Sequence, residues 1–206
     1  MPHVTQGASI DVSFDRRRCI HSRNCVLGQP TVFEPGAKDW IHPDADTADR
    51  IAAQVALCPS GALTYHRKDD GPQEQAPPVN TLRLQENGPY VLRGDLRIGE
   101  ERLFRATLCR CGRTKNRPFC DGSHTAAGFC ATGEPEPNKS EPLEARDGPL
   151  VITPLKNACL KVEGNLEIVA GSGRRLDRVR ETYLCRCGNS GTKPFCDGTH
   201  EKVGWE

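Results

Sequence analysis

Cys109-Arg-Cys111-Gly112-Arg-Thr114-Lys-Asn-Arg-Pro118-Phe119-Cys120-Asp121-Gly122-Ser123-His124 and Cys185-Arg-Cys187-Gly188-Asn-Ser190-Gly-Thr-Lys-Pro194-Phe195-Cys196-Asp197-Gly198-Thr199-His200 are two copies of one sixteen-residue pattern. Each copy carries three cysteines and one histidine at the spacing Cys-x-Cys-x8-Cys-x3-His. Thiolates and an imidazole suit zinc or an iron–sulfur cluster. Zinc accepts three cysteines and a histidine, although this spacing differs from paired Cys-x2-Cys knuckles. A helix starting at the Pro-Phe-Cys turn would put the third cysteine and the histidine one turn apart on one face. Its first N–H groups would point at the anionic centre. Gly122 and Gly198 would let the backbone approach closely. Asp121 and Asp197 are expected to cap a helix or clamp the loop, with Thr114 and Ser190 as hydroxyl donors to the cradle.

The repetition extends beyond the loops. Thr81–Leu84 and Tyr90–Ile98 alternate as strands, and Ala106–Leu108 leads into Cys109. A shift of seventy places Gly94 on Gly164, Leu96 on Leu166 and Ile98 on Ile168, and a shift of seventy-six places Cys109 on Cys185. The six extra residues fall near the glycine-rich turn at Gly171–Gly173, where length changes least disturb a fold. Gly128-Phe129 matches Gly204-Trp205, so whole modules are duplicated.

Cys120-Asp-Gly-Ser-His and Cys196-Asp-Gly-Thr-His, each preceded by Pro-Phe, resemble the CDGSH, or NEET, family. That resemblance implies one [2Fe–2S] cluster per copy. Cys109 and Cys111 would hold the inner iron of the first cluster, with Cys120 and His124 on the outer. Cys185 and Cys187, then Cys196 and His200, would do the same in the second. It also implies two modules paired about a two-fold axis with exchanged strands. Both modules lie in one chain here, so the expectation is an intrachain pseudo-dimer with a shared β-cap.

Residues 8–67 read as a separate unit. Ile10, Val12 and Phe14 alternate as a strand, and Cys19-Ile-His21-Ser22-Arg-Asn-Cys25 follows as a loop. Ala48, Ile51, Ala52 and Val55 mark one helical face behind an N-cap at Asp46 or Thr47. Cys58-Pro59 leads to a closing strand through Ala62, Leu63 and Tyr65. The pattern resembles divergent single-cluster ferredoxins with Ser22 at the middle ligand position. Cys19, Cys25 and Cys58 suit a [3Fe–4S] cluster. A [4Fe–4S] cluster would need a fourth ligand, for which His21 is nearest. The alternative is a scaffold that has lost its cluster. The expected class is therefore α+β: a ferredoxin-like domain over 8–67, a linker over 68–78, one CDGSH module over 79–130, a second linker over 131–147 and a second module over 148–206.

Composition narrows the functions. Aromatic content is 5%, and 20 glycines and 16 prolines leave little for one thick core, so small units stabilised by metal fit better. A net charge of +1 offers no field for nucleic acid or an anionic membrane. Residues 1–18 lack an apolar targeting segment, and eleven cysteines without a secretory signal indicate a reducing, cytoplasmic compartment. The odd count argues against a disulfide framework. Cys130 and Cys159 sit off the repeat and read as buried structural thiols. No nucleophile–base set, phosphate loop or flavin fingerprint is present, so no enzymatic activity is expected. The expectation is a monomeric carrier of electrons or clusters serving a redox partner or an apo iron–sulfur acceptor. A redox or pH sensor whose cluster state controls partner binding is the alternative. Histidine ligation lowers the cluster's negative charge relative to four thiolates and raises its potential. It also makes the site acid-labile, because a ligating nitrogen holds no proton.

Overall fold

The computed structural model describes residues 2–206, which divide into two compact units on either side of the Gln75–Ala76 bond. In the first unit β1 (His3–Thr5), β2 (Ile10–Phe14) and β3 (Leu63–Arg67) form an antiparallel sheet with β2 central. The strand β1 lies outside the 8–67 span read from sequence, which misses it because three residues carry no periodicity. A 3-10 helix (Arg16–Arg18) and α1 (Asn24–Gly28) carry the cysteine loop, and α2 (Ala48–Val55) covers the sheet. Thr47 caps α2, and Ala48, Ile51, Ala52 and Val55 are its buried face. They pack with Ile10, Val12, Val32, Phe33 and Leu63.

The second unit is mainly β. The first repeat supplies β4 (Thr81–Leu84), β5 (Tyr90–Ile98) and β6 (Glu101–Leu108), then α3 (Ser123–Ala126). The second supplies β7 (Pro149–Pro154), β8 (Leu160–Val169) and β9 (Arg175–Leu184), then α4 (Thr199–Lys202). Each repeat forms an antiparallel meander. In addition β4 pairs parallel with β8 of the other repeat, and β7 pairs parallel with β5. The pairings β4–β5, β5–β7, β7–β8 and β8–β4 close a ring, which leaves none of these strands with the free edge an isolated repeat would expose.

The long strands change neighbour midway. β5 pairs β4 through Arg93 and β7 from Asp95, and its register breaks between Arg93 and Leu96. β8 breaks between Glu163 and Leu166. Gly94 and Gly164 sit at these breaks. A Cβ at Gly164 would lie 2.3 Å from the Pro149 carbonyl and one at Gly94 2.2 Å from Asn80 Oδ1, so both positions exclude a side chain. Buried Asn80 fastens the crossing: its Nδ2 donates to the carbonyls of Gly148 (2.9 Å) and Asn165 (3.0 Å), and its Oδ1 accepts from Asp95 N. Leu82, Leu84, Leu92, Leu96, Leu150, Ile152, Leu160, Leu166 and Ile168 fill a core drawn from both repeats.

Residues 131–147 are more than a tether. Gly171 N donates to Gly133 O, Asn138 N to Leu176 O, and the Arg146 guanidinium bonds both oxygens of Glu167. The segment reads as a linker because it lacks periodicity, yet its polar groups strap it onto the second repeat.

Candidate metal centres

Each sixteen-residue loop closes at the end of its strand. Cys109 N donates to Pro118 O (2.9 Å) and Cys120 N to Thr107 O (2.9 Å). Cys185 and Cys196 repeat this with Pro194 and Tyr183, both at 2.8 Å. Thr114 Oγ1 donates to Phe119 O and Ser190 Oγ to Phe195 O, each at 2.7 Å. Asp121 accepts from Lys115 N (2.8 Å) and Ser123 N (3.0 Å), and Asp197 accepts from Gly191 N (2.7 Å) and Thr199 N (3.0 Å). Burial works against the Asp121 charge, but bonds from Ser123 and Lys115 hold its carboxyl below the usual range. The aspartates are thus loop clamps, as the sequence indicates.

Two details differ. Helices α3 and α4 begin at Ser123 and Thr199, after the third cysteine rather than at the Pro-Phe-Cys turn, and have Gly122 and Gly198 as N-caps. These glycines are needed for φ of +85° and +80°, not for close approach, since a Cβ on either meets nothing within 4 Å. Close approach occurs instead at Gly112 and Gly188. A Cβ on Gly112 would lie 2.6 Å from the Cys187 carbonyl oxygen, and one on Gly188 2.6 Å from that of Cys111. The two loops therefore abut back to back.

The donors gather as pairs. Cys109 and Cys111 Sγ are 3.7 Å apart, as are Cys185 and Cys187. Cys120 Sγ lies 3.5 Å from His124 Nδ1, and Cys196 Sγ 3.4 Å from His200 Nδ1. Two sulfurs bound at about 2.3 Å to one tetrahedral metal sit roughly 3.8 Å apart, and a sulfur and an imidazole nitrogen about 3.5 Å apart. Each pair thus spans two corners of a metal tetrahedron. Among the described residues, no three His, Cys, Asp or Glu side chains converge on one ion position.

The environment suits an anion built on a cation. Backbone N–H groups of Arg113, Gly122 and Asn189 each point at a cysteine sulfur at 3.4 Å. The Cys111 side chain holds the Cys109 thiol down, to about 6, while Cys111 itself is pushed up by the shared proton. Burial pushes Cys120 up to about 11 and raises Cys185, so thiolates in these loops need a positive partner. Arg110, between the first two ligands, is 1% exposed. Its terminal nitrogens donate to Gln85 O and Thr132 O, and its buried Nε has no partner in the protein. Arg186 of the second loop also bonds backbone carbonyls, but there Nε is partnered: it donates to Ala158 O and a terminal nitrogen to Leu155 O. Tyr90 of the first repeat donates to both Cys185 O (2.8 Å) and Pro194 O (3.0 Å) of the second loop. The arginines, Tyr90 and the abutting glycines go unmarked in the sequence reading, although Cys-Arg-Cys-Gly stands in both copies.

Cys159 is buried against Cys196, and burial with that neighbouring sulfur raises its thiol to about 11. Cys130 is exposed, contrary to its reading as a buried structural thiol, because it follows α3 where the chain leaves the core. In the N-terminal unit Cys19, Cys25 and Cys58 line one cavity of about 680 Å³, together with His21 and Ser22. Burial raises the Cys19 and Cys25 thiols. No helix among the described residues is long and apolar enough to cross a membrane.

A family model described as "Iron-binding zinc finger CDGSH type" matches residues 87–125 and 157–201. A second model, "Divergent 4Fe-4S mono-cluster", matches residues 5–68. The chain joins a divergent 4Fe-4S domain to two CDGSH segments. The chain is 42% identical over 62 residues to uncharacterized protein YjdI of Escherichia coli K12, covering 30% of the chain and 82% of that protein. It is 34% identical over 96 residues to a CDGSH iron-sulfur domain-containing protein 2 homolog of Drosophila yakuba, covering 45% of the chain and 65% of the homolog. A Drosophila melanogaster CDGSH iron-sulfur domain protein is 32% identical over the same length. This is an iron–sulfur protein with cluster-binding families in both units.

Proposed function

We propose that the two repeats form an intrachain pseudo-dimer with a shared β-cap holding two [2Fe–2S] clusters, and that this monomeric protein carries electrons or clusters rather than catalysing a reaction. The donor spacing carries the reading: two two-corner edges per loop suit two bridged irons better than a single four-coordinate zinc. Cys109 and Cys111 would hold one iron, Cys120 and His124 the other. Cys185 and Cys187, with Cys196 and His200, would do so in the second loop. The bound clusters would supply one-electron chemistry. The partnerless Arg110 Nε–H and the N–H groups aimed at sulfur would offset their negative charge. In the N-terminal unit the three-thiol cavity suits a further [3Fe–4S] or [4Fe–4S] cluster, with His21 or solvent as any fourth ligand. The partner would be a redox protein or an apo iron–sulfur acceptor in the cytoplasm, with neither nucleic acid nor membrane involved.

The histidines make the sites acid-sensitive. Burial lowers the proton affinity of His124, and the Asp121 charge opposes this only in part. The neutral imidazole is the ligating form. Its contribution is therefore complete above the ordinary histidine range and is lost as pH falls below about 6.5, through the lowered value. Transfer to an apo-ferredoxin, followed by visible absorption between pH 8 and 5, tests this. Expected is a rate that rises about tenfold for each unit the pH falls while protonation limits it, and a rate nearly flat in the His124→Cys, His200→Cys double variant. An acceptor that stays empty at every pH and in either redox state would remove the cluster-carrier role. An unchanged pH profile in the double variant would remove the histidines from it.

A further inference from the structure

Trp205 touches both metal loops. Its backbone N–H donates to His200 O (3.0 Å), a ligand residue of the second loop. Its indole Nε1–H donates to Gly112 O (3.3 Å), next to Cys111 of the first. Two guanidiniums lie over its ring, Arg117 of the first loop at 4.7 Å and Arg186 of the second at 4.8 Å. Arg117 in turn precedes Pro118, whose carbonyl accepts the Cys109 N–H.

The matched residue of the first repeat makes no such bridge. Phe129 N donates to His124 O (3.0 Å), repeating the backbone contact. Its ring has no N–H and faces Arg110 of its own loop at 5.9 Å. A Cβ on Gly112 would meet Trp205 Nε1 at 2.8 Å, whereas the three atoms nearest one on Gly188 all belong to Cys111. The indole contact therefore has no counterpart at Phe129; the first repeat reaches the second loop by a different route, through Tyr90.

We infer that Trp205 is a positioning residue for the first metal centre, held in place from the second loop. The indole N–H fixes the Gly112–Arg113 peptide, whose N–H points at Cys111 Sγ, and the two guanidiniums fix the indole. Because the Trp205 backbone hangs on His200, this brace on the first loop is anchored in the second. Among the described residues, no side chain of the first repeat's C-terminal turn makes the matching contact with the second loop, so removing the indole acts directly on the first centre. The inference rests on the cluster reading above.

Replacing one histidine ligand by cysteine makes that site's absorption distinguishable from the other. In His200→Cys protein the histidine-ligated signal reports the first site, and in His124→Cys protein the second. Cluster loss to an iron chelator at neutral pH is then timed. Trp205→Phe, which keeps a ring but removes the N–H, should speed first-site loss about fivefold, the weight of one hydrogen bond. Trp205→Ala, which also removes both cation–π contacts, should speed it about fiftyfold. Second-site loss should stay within about twofold in both, as it should in Phe129→Leu. Equal acceleration at both sites, or fully coloured Trp205→Phe protein with an unchanged first-site rate, would overturn the inference while leaving the cluster reading intact. Absence of the chromophore from unsubstituted protein would instead overturn the cluster reading.

Discussion

Cys109→Ala should remove one [2Fe–2S] cluster and leave the other, halving the iron and sulfide held by the repeats, and Cys185→Ala should do the same from the other side. Both cysteines are 1% exposed, and each amide is fixed by a proline carbonyl across the loop. Losing one sulfur breaks a 3.7 Å donor pair and leaves one iron with a single protein ligand. Binding of metal to a folded site is linked to folding, so stability should fall with the cluster by about 3 kcal/mol or more. Iron and sulfide assays with urea denaturation measure both effects. Unchanged iron in either variant would remove that cysteine from the ligand set.

Gly112→Ala should disturb both centres at once. Its φ is +77°, which costs an L-residue about 1 kcal/mol, and the new methyl would sit 2.6 Å from the Cys187 carbonyl oxygen and 2.8 Å from Trp205 Nε1. The neighbouring atom is backbone held in the other cluster loop, so relief requires the loops to part. The combined cost is about 3–4 kcal/mol, with weakened retention at both sites. Gly188→Ala, at φ +83° and 2.6 Å from the Cys111 carbonyl oxygen, should behave alike. Gly122→Ala provides the contrast: at φ +85° with open space around it, only the backbone strain of about 1 kcal/mol applies. Equal losses for Gly112→Ala and Gly122→Ala would mean that the loops do not press on each other.

The contrast between these glycines shows what sequence can and cannot carry. The ligand spacing, the aspartate clamps and the threonine and serine braces are local features, readable because the pattern occurs twice. The strands were legible from alternation, and the α2 face from its helical period. Contacts made across the repeats were not. Gly112 and Gly188 look like ordinary loop glycines until the Cys187 and Cys111 carbonyls are placed against them. Tyr90 reads as a strand residue, yet its hydroxyl serves the other repeat's loop. Nothing in the sequence marks Arg110, yet the turn at Gln85 and the chain at Thr132 enclose it. The helix after the third cysteine was placed too early because Gly122, in the left-handed region, delays helical hydrogen bonding until Ser123. Residues 131–147 lack periodicity, so their straps onto Leu176 and Glu167 are visible only in three dimensions.

Iron, zinc and acid-labile sulfide counted per chain in anaerobically purified protein test the account most directly. The reading of paired donor edges predicts four irons and four sulfides from the repeats, and about seven to eight irons when the N-terminal cavity is also filled. Two equivalents of zinc with no sulfide would contradict it.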